Sequence, residues 1–148
     1  MYVVFFDGEE AVGDWSDVDK LYGSRHLALT WRDSGMLRKL KGVINVDMIG
    51  DRDLNLKRED NSTRSLVDLV WKTAADLGYS ANFMQQDINI DDDHMPFLLA
   101  GVRALDLIDF ESQNSFWHTP QDTIDKLSAK SFDILGAVLL RSLDLLEQ

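Results

Sequence analysis

Cysteine is absent from all 148 residues, which removes disulfides, thiol catalysis and any thiolate-bound metal. A metal held by this chain must therefore sit on His, Asp or Glu. No apolar run approaches the ~20 residues that span a bilayer. Cationic side chains are scarce, with 15 Lys and Arg against 26 Asp and Glu and a formal net charge of −11. That balance argues against nucleic-acid binding, which needs clustered cations to displace counterions, and against an anionic membrane surface as partner. Two prolines and nine glycines are too few to build a linker. Internal repeats and low-complexity segments are missing too, and the start lacks the basic segment and small-residue cleavage site of a secretory signal.

What is present reads as one domain over residues 1–148, long enough to bury a real core, at 45% hydrophobic residues. Met1 runs straight into an apolar stretch at residues 2–6 that reads as a buried strand rather than a leader. A chain opening inside a core strand is expected to lack elements upstream. A loop rich in Gly, Asp and Ser follows, and Ser24 is placed to cap a helix carrying Leu27, Ala28 and Trp31. Residues 43–46 read as a second strand and 55–57 as an edge strand. Residues 62–77 read as a helix, because Leu66, Val67, Val70, Trp71, Ala74 and Leu77 recur at three- and four-residue spacing before Gly78. A shorter helix is expected at 93–100, a strand at 103–108, and a final helix from Ser128 with Phe132, Leu135, Val138, Leu139, Ser142, Leu143 and Leu146 on one stripe. Strands alternating with helices imply an α/β fold with a largely parallel sheet.

In open α/β sheets, ligands bind outside the carboxyl ends of the strands. Three expected strands end in acids: the first in Asp7-Gly8-Glu9-Glu10, the second in Asp47 and the last in Asp109. On this pattern alone, the plainer reading of solvated loop acids stays open.

The local strings say more. FFDGEEA spans residues 5–11, LYGSRHLA 21–28, NVDMIG 45–50, DDHMPF 92–97 and FWHTPQDT 116–123. In this order they resemble the glutaminyl-peptide cyclotransferases and the related zinc aminopeptidases. The resemblance implies a three-layer, mostly parallel mixed sheet flanked by helices, of the zinc-exopeptidase (phosphorylase/hydrolase-like) kind. It also implies a zinc cofactor and a peptide substrate with a free N-terminus. By the same resemblance Glu10 and His118 are zinc ligands, Glu9 the general base and acid, and Trp117 a wall of the substrate pocket. Asp47 is an acid that hydrogen-bonds beside the metal in cyclases and ligates a second metal in two-metal aminopeptidases. Asp92 is its acidic partner, with Asp93 one register away. His26 and His94 are expected to be structural, and Asp17, Asp19 and Asp53 receive no role.

Complete members of that group extend further on the N-terminal side and supply another zinc ligand, an Asp, from there. The expectation is therefore a catalytic domain whose N-terminal part is missing, with an unpaired sheet edge that invites dimerisation. Three functions stay in play. The first is a cyclase converting N-terminal Gln to pyroglutamate, favoured by Trp117 and the doubled acid before His94. The second is an aminopeptidase, and the third a non-catalytic binding domain.

Overall fold

The computed structural model describes residues 1–110 and 116–147. In chain order these form α1 (Tyr22–Asp33), β1 (Val43–Asp47), β2 (Leu56–Glu59), α2 (Arg64–Asp76), β3 (Phe83–Ile88), α3 (Met95–Leu99), β4 (Ala104–Ile108) and α4 (Ala129–Glu147). Both strand pairs are parallel. β1 pairs with β4, placing Asn45 opposite Asp106 and Asp47 opposite Ile108. β2 pairs with β3, and β2 also lies against β4.

Every residue of β4 is buried, as expected for a strand covered by helices on both faces. Alternation then sorts its side chains. Leu105 and Leu107 join the larger core with Leu66, Val67, Val70 and Trp71 of α2 and Ile134, Leu135 and Val138 of α4. Ala104 faces the other way, into a smaller core with Ala28 of α1 and Phe97 of α3. The result is the expected α/β sandwich: α2 and α4 on one side, α1 and α3 on the other. Each fully buried Leu or Val contributes about 1.5–3 kcal/mol by leaving water, so the larger cluster dominates the stability. Trp71 anchors it, edge-on to Phe83 at 5.3 Å and donating its indole N–H to the Met84 carbonyl at 2.6 Å.

The structure departs from the sequence reading in four places. Residues 2–6 form no strand, because no described segment pairs with them, and Met1, Tyr2, Val3, Val4 and Phe5 are exposed. The expected edge strand at 55–57 is β2, whose charged residues Arg58 and Glu59 are buried. β3 was not expected at all. Finally, Ser24 lies inside α1 rather than at its cap. There its hydroxyl donates to the Leu21 carbonyl at 3.3 Å.

Candidate active site

Glu9 and Glu10 sit on a loop that is tied to the first turn of α1. The amides of Leu21, Tyr22 and Gly23 donate to the carbonyls of Glu9, Gly8 and Asp7 at 2.8, 2.8 and 3.0 Å. Helix starts leave such amides unpaired, and here the acid-bearing loop takes them. Gly23 is required for this closeness, since a Cβ there would meet the Asp7 carbonyl oxygen at 2.5 Å. Asp19 braces the same loop, accepting the Val12 and Gly13 amides at 2.9 and 2.8 Å and the Tyr22 hydroxyl at 2.7 Å. Lys20, buried, pairs with Asp91 and so fastens the loop to the segment bearing Asp92 and Asp93.

The expected site residues converge from four segments. Glu10 Oε1 lies 2.8 Å from His118 Nε2, across 108 positions of sequence. Both side chains stay more than half open, at 63% and 51%. Trp117 stacks on the His118 ring at 3.8 Å and meets Phe110 edge-on at 5.3 Å. With Phe116, Met48 and Leu127, Trp117 also lines a small cavity of about 110 Å³. Asp47 ends β1 in the open, accepting the Met48 amide at 2.8 Å.

Glu9 is half-buried, and its carboxyl is pushed up to about 7, first by burial and then by Glu10, Asp92, Asp93 and Asp47. Four other acids thus act on Glu9 within a single locus. Burial raises Asp92 to about 6, against the opposing pull of the Asp93 amide. Asp47 moves in the same direction, through partial desolvation and through Glu10. Asp93 rises by burial, countered by Ser24. Three non-glycine residues around this locus hold left-handed backbone: Leu21, Met48 and His118, with φ of 52°, 50° and 56°. Such strain costs of order 1–3 kcal/mol each and gathers at functional sites.

The pair Glu10 and His118 has the oxygen and imidazole chemistry that zinc takes. Their open lone pairs suit two of its ligands. Among the described residues, no group of three or more His, Asp or Glu side chains is arranged to hold a metal ion.

Elsewhere the expected roles shift. Asp109 is no solvated loop acid: it is 2% exposed and accepts the Asn55 amide at 2.9 Å. His94 is completely buried, and His26 is exposed on α1. Behind the acids His94 joins a polar group with Asn45, Glu59 and Asp106, three residues that escaped the sequence reading. The available signal was a polar residue inside an apolar strand: Asn45 among Val43, Ile44 and Val46, and Asp106 between Leu105 and Leu107.

Similar proteins identify the fold and the family. The fold is shared with a Zn-dependent exopeptidase from Parabacteroides distasonis, with a TM-score of 0.76 at 24% identity over 92% of this chain and 51% of that one. The sequence profile of Peptidase family M28 matches residues 1–143, and the chain belongs to that family. A glutaminyl cyclase from an Acidobacteriales bacterium superposes with a TM-score of 0.91 at 43% identity, over 96% of this chain and 51% of that one. The glutaminyl-peptide cyclotransferase of Drosophila melanogaster is 29% identical over 159 residues, covering 94% of this chain and 45% of that protein. The chain therefore spans about half the length of the relatives it matches. Its family is one of enzymes, and no helix among the described residues is long and apolar enough to cross a membrane.

Proposed function

We propose that this chain carries part of the active site of a glutaminyl-cyclase-like enzyme, converting N-terminal Gln of a peptide to pyroglutamate with loss of ammonia. The observation that carries the reading is the meeting of Glu10 and His118 beside a Glu9 whose carboxyl titrates at about 7. A group poised near neutrality both takes and returns a proton, and positioned acid–base help of this kind is worth ~10²–10⁴ in rate.

In this reading Glu10 and His118 hold zinc together with a ligand from outside the described residues. Bound there, zinc supplies a Lewis acid that polarises a carbonyl. Glu9 takes a proton from the substrate's α-amine as that nitrogen bonds to the side-chain amide carbon. It returns the proton to the amide nitrogen, which leaves as ammonia when its bond to that carbon breaks. The acids around Glu9 keep its carboxyl high enough to do both, acting on an N-terminus that enters the step as the neutral amine. Asp92 and Asp47 hold this electrostatic setting, and Trp117 walls the pocket that receives the Gln side chain.

One observation favours a second reading, an aminopeptidase: Asp47 stands open at the end of β1 beside Glu10, where it suits a second metal. Two peptides separate the two readings in the zinc-loaded enzyme, one beginning with Gln and one with Leu. Ammonia from the first supports cyclisation; a freed residue from the second supports hydrolysis. Neither product, from a folded protein with zinc bound, would leave a binding domain. Glu9→Gln is expected to lower kcat by about 10²–10⁴ with zinc retained, and an unchanged kcat would remove Glu9 from the mechanism.

A further inference from the structure

Behind the acid site runs a chain of buried polar groups that the proton transfer above does not use. Glu59 is 1% exposed, and His94 and Asp106 are fully shielded. The Glu59 carboxylate accepts the Asn61 amide and side-chain N–H at 3.0 and 2.9 Å, the Ser62 amide and hydroxyl at 2.7 and 2.8 Å, and the Ile90 amide at 3.2 Å. Burial alone would raise this carboxyl, but the hydrogen bonds outweigh it and hold the group down at about 2. Glu59 is therefore an ionised acceptor. His94 Nε2, 3.1 Å from its Oε2, must carry a hydrogen toward it.

That leaves His94 Nδ1 pointing at Asp106 Oδ2, 3.8 Å away. Both atoms are buried, and neither has a hydrogen-bond partner. A bare buried polar atom costs about 1–3 kcal/mol. A proton on either atom would lower that cost once a small side-chain shift brings the two within hydrogen-bonding reach. Asp106 thus turns Oδ2 toward His94 and leaves Oδ1 to face Asn45.

Asn45 reads this polarity. An asparagine amide could turn either face to a neighbour; here it turns its N–H face to both carboxyls. Asn45 Nδ2 donates to Asp106 Oδ1 at 3.1 Å and to Asp92 Oδ2 at 2.9 Å. The other Asp92 oxygen accepts the Asp93 amide at 2.6 Å. Both oxygens of Asp92 are thereby fixed, one by the Asp93 amide and one by Asn45.

We propose that Asn45 is a positioning residue that orients the Asp92 carboxyl in the acid site, held to that task by the buried chain Glu59–His94–Asp106. The importance of Asp92 rests on the proposed function; its orientation by Asn45 does not. In the zinc-loaded enzyme, Asn45→Leu is expected to lower kcat about 10–100-fold, the usual reach of supporting residues, with KM changed by less than about 3-fold. Asp106→Leu should behave in the same way. Asp106→Asn should restore kcat to within about 3-fold of the parent, because its amide can accept from Asn45 and donate to His94. A role confined to packing predicts no such rescue.

Independently of activity, a crystal structure of the Asn45→Leu chain should show the Asp92 carboxyl rotated from its present place. Should that variant fail to fold, Asn45→Ser, too short to bridge the two carboxyls, is read instead. The proposal is overturned if Asp92 keeps its orientation in that structure, if kcat is unchanged, or if Asp106→Asn is as damaging as Asp106→Leu. A parent enzyme that turns over neither peptide would sink the proposed function. The crystal structure would still decide the orientation of Asp92.

Discussion

Among the described residues, two Glu–His contacts have nearly equal length and opposite character. Glu10 meets His118 at 2.8 Å, with both side chains open to solvent; Glu59 meets His94 at 3.1 Å, with both sealed off. Around Glu59, five further hydrogen bonds occupy the carboxylate, so nothing remains to offer a metal. Around Glu10, His118 is the single hydrogen-bonding partner that the described residues supply. Ligand potential thus lies in lone pairs left free, and a Glu–His pair saturated with donors is part of the frame. The same two residue types serve as site or as scaffold according to how many amides surround them.

The largest way to break this comparison is to empty the buried pair. Glu59→Leu leaves several buried donors and the His94 N–H without an acceptor, and should cost about 3–5 kcal/mol of stability, read by urea denaturation of the metal-free chain. A loss under about 1 kcal/mol would place Glu59 in the same class as Glu10.

Acidity sharpens the contrast with a smaller change. Burial first, and then Asp92, push Asp106 up to about 9, and Asp92 itself lies at about 6. The folded chain keeps these protons where the unfolded chain has released them, so stability should grow as pH falls from about 9 toward 4. Glu59, held at about 2, works in reverse: its contribution is present above its ordinary value and is lost as pH falls below about 4. The melting temperature of the metal-free chain should therefore peak near pH 4–5 and decline toward pH 9. A steady rise from pH 4 to 8 would show that the buried acids are not held as described.

The smallest expected effect on stability belongs to the exposed pair. Glu10→Ala should shift unfolding by less than about 1 kcal/mol, as for other solvent-exposed ion pairs, while abolishing bound zinc measured by elemental analysis. Retained zinc would remove Glu10 from the ligand set.

Much of this was legible in the residues. β1, β4, α2 and α4 announce themselves because apolar periodicity and burial coincide there. β3 did not, since Gln85, Gln86 and Asp87 are polar and exposed in succession and break the alternation. β2 is expected at 55–57 and runs Leu56–Glu59, with the charged Arg58 and Glu59 buried. Burial of those two depends on Asp68, which pairs with Arg58, and on the donors around Glu59. A strand at residues 2–6 needs a partner strand, and apolar content alone does not provide one. At the site, the meeting of Glu10 with His118 rested on family resemblance, because their separation along the chain hides it from any local pattern. Asn45 and Asp106 were readable in principle, being polar residues set inside apolar strands, yet their joint purpose depends on the register that puts them side by side.

The clasp between carbonyls 7–9 and the amides of Leu21, Tyr22 and Gly23 has a consequence for how such enzymes diversify. It closes residues 10–20 into an Ω-loop whose two ends are welded together beside the acids. Lengthening a closed loop costs only about 0.6 kcal/mol per doubling. Insertions at its tip can therefore reshape the approach to the site over generations, while Glu9 and the root of Glu10 stay where the helix start holds them.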